Sequence, residues 1–129
     1  MINNNFEKKL KSKEFVFTAE TSPPDSTVRS EITDRVLCLK DLADAINVTD
    51  GASAKSHLSS LVVSSIIKDI EIEPILQLTT RDRNRIAIQS DLLGAWTLNI
   101  QNILCIYGDQ VETGCLLYTS PSPRDTAWS

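Results

Sequence analysis

The chain has 129 residues, a formal net charge of −4 and a hydrophobic fraction of 41%. That length fits one domain or a piece of one, and the acidic balance excludes the clustered basic footprint of a nucleic-acid binder or a polybasic membrane patch. The opening "MINNNFEKKLKSK" lacks the apolar core of a signal peptide, and no apolar run approaches the ~18 residues of a membrane span, so a reducing, cytoplasmic setting is expected.

Residues 2–12 read as a short helix, with Phe6 and Leu10 four apart. Residues 14–19, built on Phe15-Val16-Phe17-Thr18, read as a first strand. The following "AETSPP" ends it, because proline offers no N–H to a ladder. Glu20 is therefore expected just past the strand end. Ile32, Val36, Leu39 and Ala43 share one helical face, predicting a helix from Ser30 to Ala45 with Ser30 as its cap and Asp34 in its first turns. "AINVTDGA" carries a second strand through Ile46 and Val48 that stops at Asp50-Gly51. Leu58, Leu61, Val62, Ser65 and Ile66 mark a helix over 54–69. "PILQLT", 74–79, is a third strand. "RDRNR" breaks it and leads into a helix over 83–98 with Ile86, Ala87, Leu93 and Trp96 among its apolar residues. "NILCIYGD", 102–109, is a fourth strand.

Thr18, Val48 and Leu78 fall 30 residues apart, and Ile106 follows 28 later. Strand, loop and helix repeating at this spacing imply βαβ units and parallel strands. A polar or acidic group follows each strand: Glu20, Asp50, the Arg81-Asp82 pair and Asp109. In a (β/α)8 barrel the C-terminal strand ends build the active site, and a doubly wound sheet binds ligands at the same end. No GxGxxG loop follows the first strand, which favours the barrel. A whole barrel takes ~250 residues, so this chain is expected to be its first half, with two open strand edges.

The expected domain division is a short helix at 1–13, a half-barrel at 14–111 and a tail at 112–129. The tail shows no helical face where the rhythm predicts one. Three readings stay open for it: a natural disordered tail, a divergent loop, or sequence foreign to the gene. "CLLYTSPSPRD" resembles a spurious translation that recurs at the ends of assembled environmental sequences. On that reading Cys115, Tyr118 and Trp128 carry no function. Cys38, Cys105 and Cys115 form no CxxC pair and are expected as buried reduced thiols. His57 is the one histidine. It is read as structural, and no metal site is expected.

Four motifs now stand in order at the strand ends: "AETSPP", "NVTDGA", "LQLTTRDRNR" and "NILCIYGD". Together they resemble the methylenetetrahydrofolate reductase family over roughly residues 14–111. The resemblance implies a flavin-dependent barrel enzyme of one-carbon metabolism. It implies FAD as cofactor, with NAD(P)H and 5,10-methylenetetrahydrofolate as substrates and 5-methyltetrahydrofolate as product. Opening the folate's one-carbon bridge to an iminium ion requires a proton on the departing nitrogen. Glu20, three residues before Pro-Pro, stands in the place of the family's general acid. Donating a proton near neutral pH calls for burial or apolar neighbours around such a carboxyl. Asp109 aligns with the family's Gly-Asp, where a negative charge stabilises the iminium ion and tunes the flavin.

By the same resemblance Thr49 hydrogen-bonds the flavin ring, Gln77 stands where many members place a histidine, and Gly108 permits close backbone approach. Asp50 stands where better-studied members have tyrosine, and Tyr107 is bulkier than its usual counterparts. Arg81, Asp82, Arg83 and Arg85 are read either as support for the flavin's phosphates or as a salt-bridged rim. The resemblance leaves open a homo-oligomer or a partner subunit. A flavin-free folate-binding or one-carbon-transfer homologue is the alternative function, and a truncated, inactive product is a third.

Overall fold

The computed structural model describes residues 4–110. A helix α1 (Asn5–Lys11) precedes strand β1 (Thr18–Thr21). Helix α2 (Arg29–Leu37) leads to β2 (Ala45–Val48), and α3 (Ser60–Asp69) to β3 (Pro74–Thr79). Helix α4 (Arg85–Thr97) leads to β4 (Asn102–Ile106). The four strands form one sheet in the order β1-β2-β3-β4, every pair parallel. This is the first half of a (β/α)8 barrel. Among the described residues the outer edges of β1 and β4 have no strand partner, and no helix is long and apolar enough to cross a membrane.

Alternation along each strand divides the sheet into two faces. Ala19, Ile46 and Val48 pack against Ile32 and Val36 of α2 and Val63, Ile66 and Ile67 of α3. Leu76 meets Ala95 of α4 and Ile100, with Leu61 and Ile103 alongside. Each fully buried Ile, Val or Leu among them contributes ~1.5–3 kcal/mol relative to exposure. The intervening residues turn to the concave face, where Glu20 stands opposite Asn47, Asn47 opposite Ile75, and Gln77 opposite Leu104.

The register refines the repeat. Thr18 pairs with Ala45, Ile46 with Pro74 and Ile75 with Asn102, offsets of 27, 28 and 27 residues rather than 30. The shortfall occurs at every pair, because the residues that mark the repeat are not register partners: Val48 pairs with Thr21 and Leu76 rather than with Thr18 and Leu78. Strand β1 itself begins at Thr18. Phe15 ahead of it is 86% exposed. Phe17 is instead tied to the start of β2, where its N–H donates to Asp44 Oδ2 (2.9 Å) and its carbonyl accepts from the Asp44 N–H (2.7 Å).

Two helices are shorter than the apolar spacing predicts. Helix α2 ends at Leu37, and Asp41 takes a left-handed φ of 66° that no helix continues through. Leu39 and Ala43 still reach the core, but from a turn. Ser30 lies inside α2 rather than capping it; Val28 holds the cap position without a side-chain hydrogen bond. Helix α3 starts at Ser60 because Ser53 and Ala54 adopt positive φ and fold residues 52–54 into a 3-10 turn.

The cysteine expectation also changes. Cys38 closes α2 and Cys105 lies on edge strand β4; both are exposed free thiols rather than buried ones. Cys115 and the whole 112–129 tail lie outside the described residues.

At the N-terminal end of the sheet, α1 is anchored by side chains. Asn4 accepts from the Glu7 N–H (3.0 Å) as the α1 cap and donates to Asn102 Oδ1 (3.0 Å). Asn102 donates to Glu73 Oε1 (2.9 Å), and Lys68 donates to Glu73 Oε2 (2.6 Å). Lys9 pairs with Asp44.

Candidate functional site

At the opposite, C-terminal end of the strands lies a cavity of about 230 Å³. Glu20, Thr49, Gln77, Gly108 and Asp109 line it, with Asp50, Ala52 and Ile106 between them. These residues come from all four strands and the segments that follow them, and only the parallel sheet brings them together.

Glu20 sits within β1, not beyond it. It pairs in register with Asn47, and the pairing continues past it through Thr49 N–H to Thr21 O (3.1 Å). The ladder, rather than the Pro-Pro turn, aims this exposed carboxylate over the concave face. Pro23 and Pro24 are buried, and the Pro24 carbonyl accepts from the Leu58 N–H (3.0 Å). Their role is to dock the loop on the segment before α3.

Thr49 is buried, and its hydroxyl donates to Ser22 Oγ (3.1 Å). Gln77 is half-buried on β3, where its carbonyl accepts from the Ser60 hydroxyl (3.0 Å), fixing the start of α3 to the strand. Among the described residues, neither the Glu20 carboxylate nor the Gln77 side-chain amide has a side-chain partner. Asp109 is held twice: Oδ2 accepts from the Ser53 N–H (2.8 Å), and its carbonyl accepts from Arg81 Nη1 (2.7 Å).

Gly108 has a φ of +98°, and a Cβ there would stand 3.0 Å from Arg81 Nη1. The room its missing side chain leaves is thus used by Arg81, within the chain. Tyr107 is exposed, and its carbonyl accepts from the Arg81 N–H (3.1 Å). His57 contacts the Ala52 carbonyl through Nε2 at 3.3 Å.

Asp50 is the hub of the rim. Oδ2 accepts from the Thr79 N–H (2.8 Å), the Thr79 hydroxyl (3.0 Å) and Arg83 Nη1. Burial opposes its ionisation, but the Arg83 guanidinium and the two Thr79 donors outweigh it and hold its pKa below the usual carboxylate value. For Arg83, burial pulls the other way, and Asp50 and Asp91 (Nε to Oδ2, 2.9 Å) raise it above the ordinary arginine value. Arg81 pairs with Asp82 and is likewise engaged. The charged cluster is therefore a salt-bridged rim, and its two inner guanidiniums are already committed to carboxylates and carbonyls. Arg85 is exposed at the first residue of α4.

These residues fit one edge of a flat, hydrogen-bonding ring, because Gln77 offers a donor and an acceptor and Thr49 further lone pairs. They do not offer a phosphate cradle, since Arg81 and Arg83 are occupied. From the sequence alone Asp50 had no role, and Arg81 and Arg83 stood between a phosphate support and a salt-bridged rim. The available signal was two acid–glycine junctions, Asp50-Gly51 and Gly108-Asp109, flanking an arginine pair at the intervening strand end.

A parallel half-barrel with polar groups gathered at its C-terminal strand ends has the architecture and site placement of a (β/α)8 enzyme. Comparison with known protein families matches residues 5–123 to the methylenetetrahydrofolate reductase family. The chain belongs to that family of folate-related oxidoreductases. The match extends past residue 111, where the strand-helix rhythm of the sequence stops. No curated protein matches the chain.

Proposed function

We propose that the chain forms the folate-facing half of a flavin-dependent methylenetetrahydrofolate reductase. The reaction would reduce 5,10-methylenetetrahydrofolate to 5-methyltetrahydrofolate with electrons from NAD(P)H, with FAD as the cofactor that these strand ends would hold. The observation that carries this reading is the convergence of Glu20, Thr49, Gln77, Gly108 and Asp109 on one cavity.

A flavin held there would supply the two-electron relay between nicotinamide and folate. The chain's own residues do the rest. Glu20 delivers a proton to the folate nitrogen that departs as the one-carbon bridge opens. Asp109, fixed by Ser53 and Arg81, places negative charge beside the resulting iminium carbon. Gln77 and Thr49 orient the ring edge at the strand ends.

The two half-reactions test this anaerobically. Glu20→Gln should leave flavin reduction by NAD(P)H within about twofold of wild type, while folate-dependent reoxidation falls ~10²–10⁴-fold, the contribution of a general acid. Equal loss in both halves would remove Glu20 as the folate acid. A colourless wild-type protein that binds folate would point to the flavin-free homologue.

A further inference from the structure

The geometry points to Arg81 as a positioning residue that sets Asp109 against the 51–54 turn, acting through two backbone carbonyls rather than through substrate. This deepens the reading above, on which Asp109 faces the reacting carbon. Arg81 is rooted in the sheet. Beyond the last ladder pair, Thr79 opposite Ile106, the Thr80 N–H bonds the Ile106 carbonyl (3.0 Å) and the Arg81 N–H bonds the Tyr107 carbonyl (3.1 Å).

Its side chain, 13% exposed, then spans two loops. Nη1 donates to the Asp109 carbonyl (2.7 Å) after β4, and Nη2 reaches the Gly51 carbonyl (3.4 Å) after β2. Nε and Nη2 both donate to Asp82 Oδ2 (3.0 and 2.8 Å), which fixes the plane of the fork. Both loops are shaped to admit it. Gly51 and Gly108 have positive φ, and a Cβ on them would lie 2.8 Å and 3.0 Å from the guanidinium nitrogens.

The closing contact is Ser53 N–H to Asp109 Oδ2 (2.8 Å), which joins the same two loops. That contact orients the carboxylate, and it can form only while the loops keep their separation. A planar, multi-donor guanidinium holds two carbonyls at once; an ammonium offers a single point of charge and cannot reproduce the fork.

Amide hydrogen exchange in the full chain tests this without any cofactor. Thr79 N–H, bonded to Asp50 on the same rim, serves as the internal reference. In Arg81→Ala, exchange at Ser53 should accelerate about tenfold, as for loss of one charge-assisted hydrogen bond, with Thr79 unchanged. Arg81→Lys, which keeps the charge, should fall between. Unchanged Ser53 exchange in Arg81→Ala overturns the proposal. So does equal acceleration at Ser53 and Thr79 in both variants, or an unprotected Ser53 in wild type. The half-reaction test on Glu20→Gln separates the two readings: equal loss in both half-reactions defeats the functional reading and leaves the Ser53 result standing.

Discussion

The two ends of the same four-stranded sheet treat polar groups differently. At the N-terminal end, side chains bond one another in series: Asn4 to Asn102, Asn102 to Glu73, Glu73 to Lys68, with Lys9 on Asp44 beside them. At the C-terminal end, an equally bonded frame of Asp50, Arg83, Arg81 and Asp109 surrounds two groups, Glu20 and Gln77, that have no side-chain partner among the described residues. One end spends its polar groups on holding α1 and the strands in place. The other locks a frame and leaves a carboxylate and an amide without side-chain partners inside it, among the described residues. Barrel folds separate stability and activity between their two ends in this way.

The frame should be the most sensitive part. Asp50→Ala strips the acceptor from Thr79 and leaves the Arg83 guanidinium short of its main counter-charge, with the Asp50 side chain only 10% exposed in the native protein. We expect a loss of about 3 kcal/mol, the lower end for breaking a buried pair, read from a urea midpoint. The pH dependence has a fixed sign. Asp50 has a depressed folded pKa, so its contribution is fully present above the unfolded aspartate value near ~3.9 and is lost as pH falls through the lower folded value. The wild-type advantage over Asp50→Ala should therefore hold from neutral pH down to about that value, then shrink. An advantage that shrank on raising the pH instead would contradict the pairing.

The sheet and the site were legible in the sequence to different depths, for physical reasons. β3 was read with its observed bounds because a continuous apolar run, Pro74-Ile75-Leu76, opens a strand buried on both sides. β1 was read early because Phe15 and Phe17 have strand propensity, yet no partner strand reaches Phe15. Helix α2 was read long because Leu39 and Ala43 keep helical spacing while packing from a turn; periodicity reports burial, not backbone. Of the cavity lining, Glu20, Asp50 and Asp109 were legible as acids near strand ends, since the repeat predicts where those ends meet, while Thr49, Gln77 and Gly108 came from the family resemblance. The Arg81 clamp was not, because it depends on which carbonyls a side chain reaches and on two positive-φ glycines, neither of which has a periodic signature.

At the N-terminal end the expected effect is smaller and purely structural. Asn102→Ala removes the bridge between Asn4 and Glu73. It should cost ~1–2 kcal/mol, the range for lost hydrogen bonds that leave part-buried partners. Ligand affinity should be unchanged. An equal loss of stability and ligand affinity would show that the two ends are not separable. Gln77→Ala is the mirror test at the rim: stability within ~0.5 kcal/mol of wild type, with weakened flavin binding by absorbance titration. A large stability loss would mean that the Gln77 side chain belongs to the frame.

The smallest effect concerns a third kind of unpartnered group. Among the described residues, Ser64 Oγ is a buried side-chain oxygen with no hydrogen-bond partner, on α3 at 0% exposure. Unlike Glu20, it does not line the strand-end cavity, and its lack of a partner carries a desolvation cost. Ser64→Ala removes that cost and keeps the helix, where alanine is the best former. It should be neutral or stabilising by up to ~1 kcal/mol and leave both half-reactions untouched. Destabilisation on this substitution would mean that the hydroxyl has a partner after all, and the distinction between a silent core hydroxyl and a working rim carboxylate would lose its clearest control.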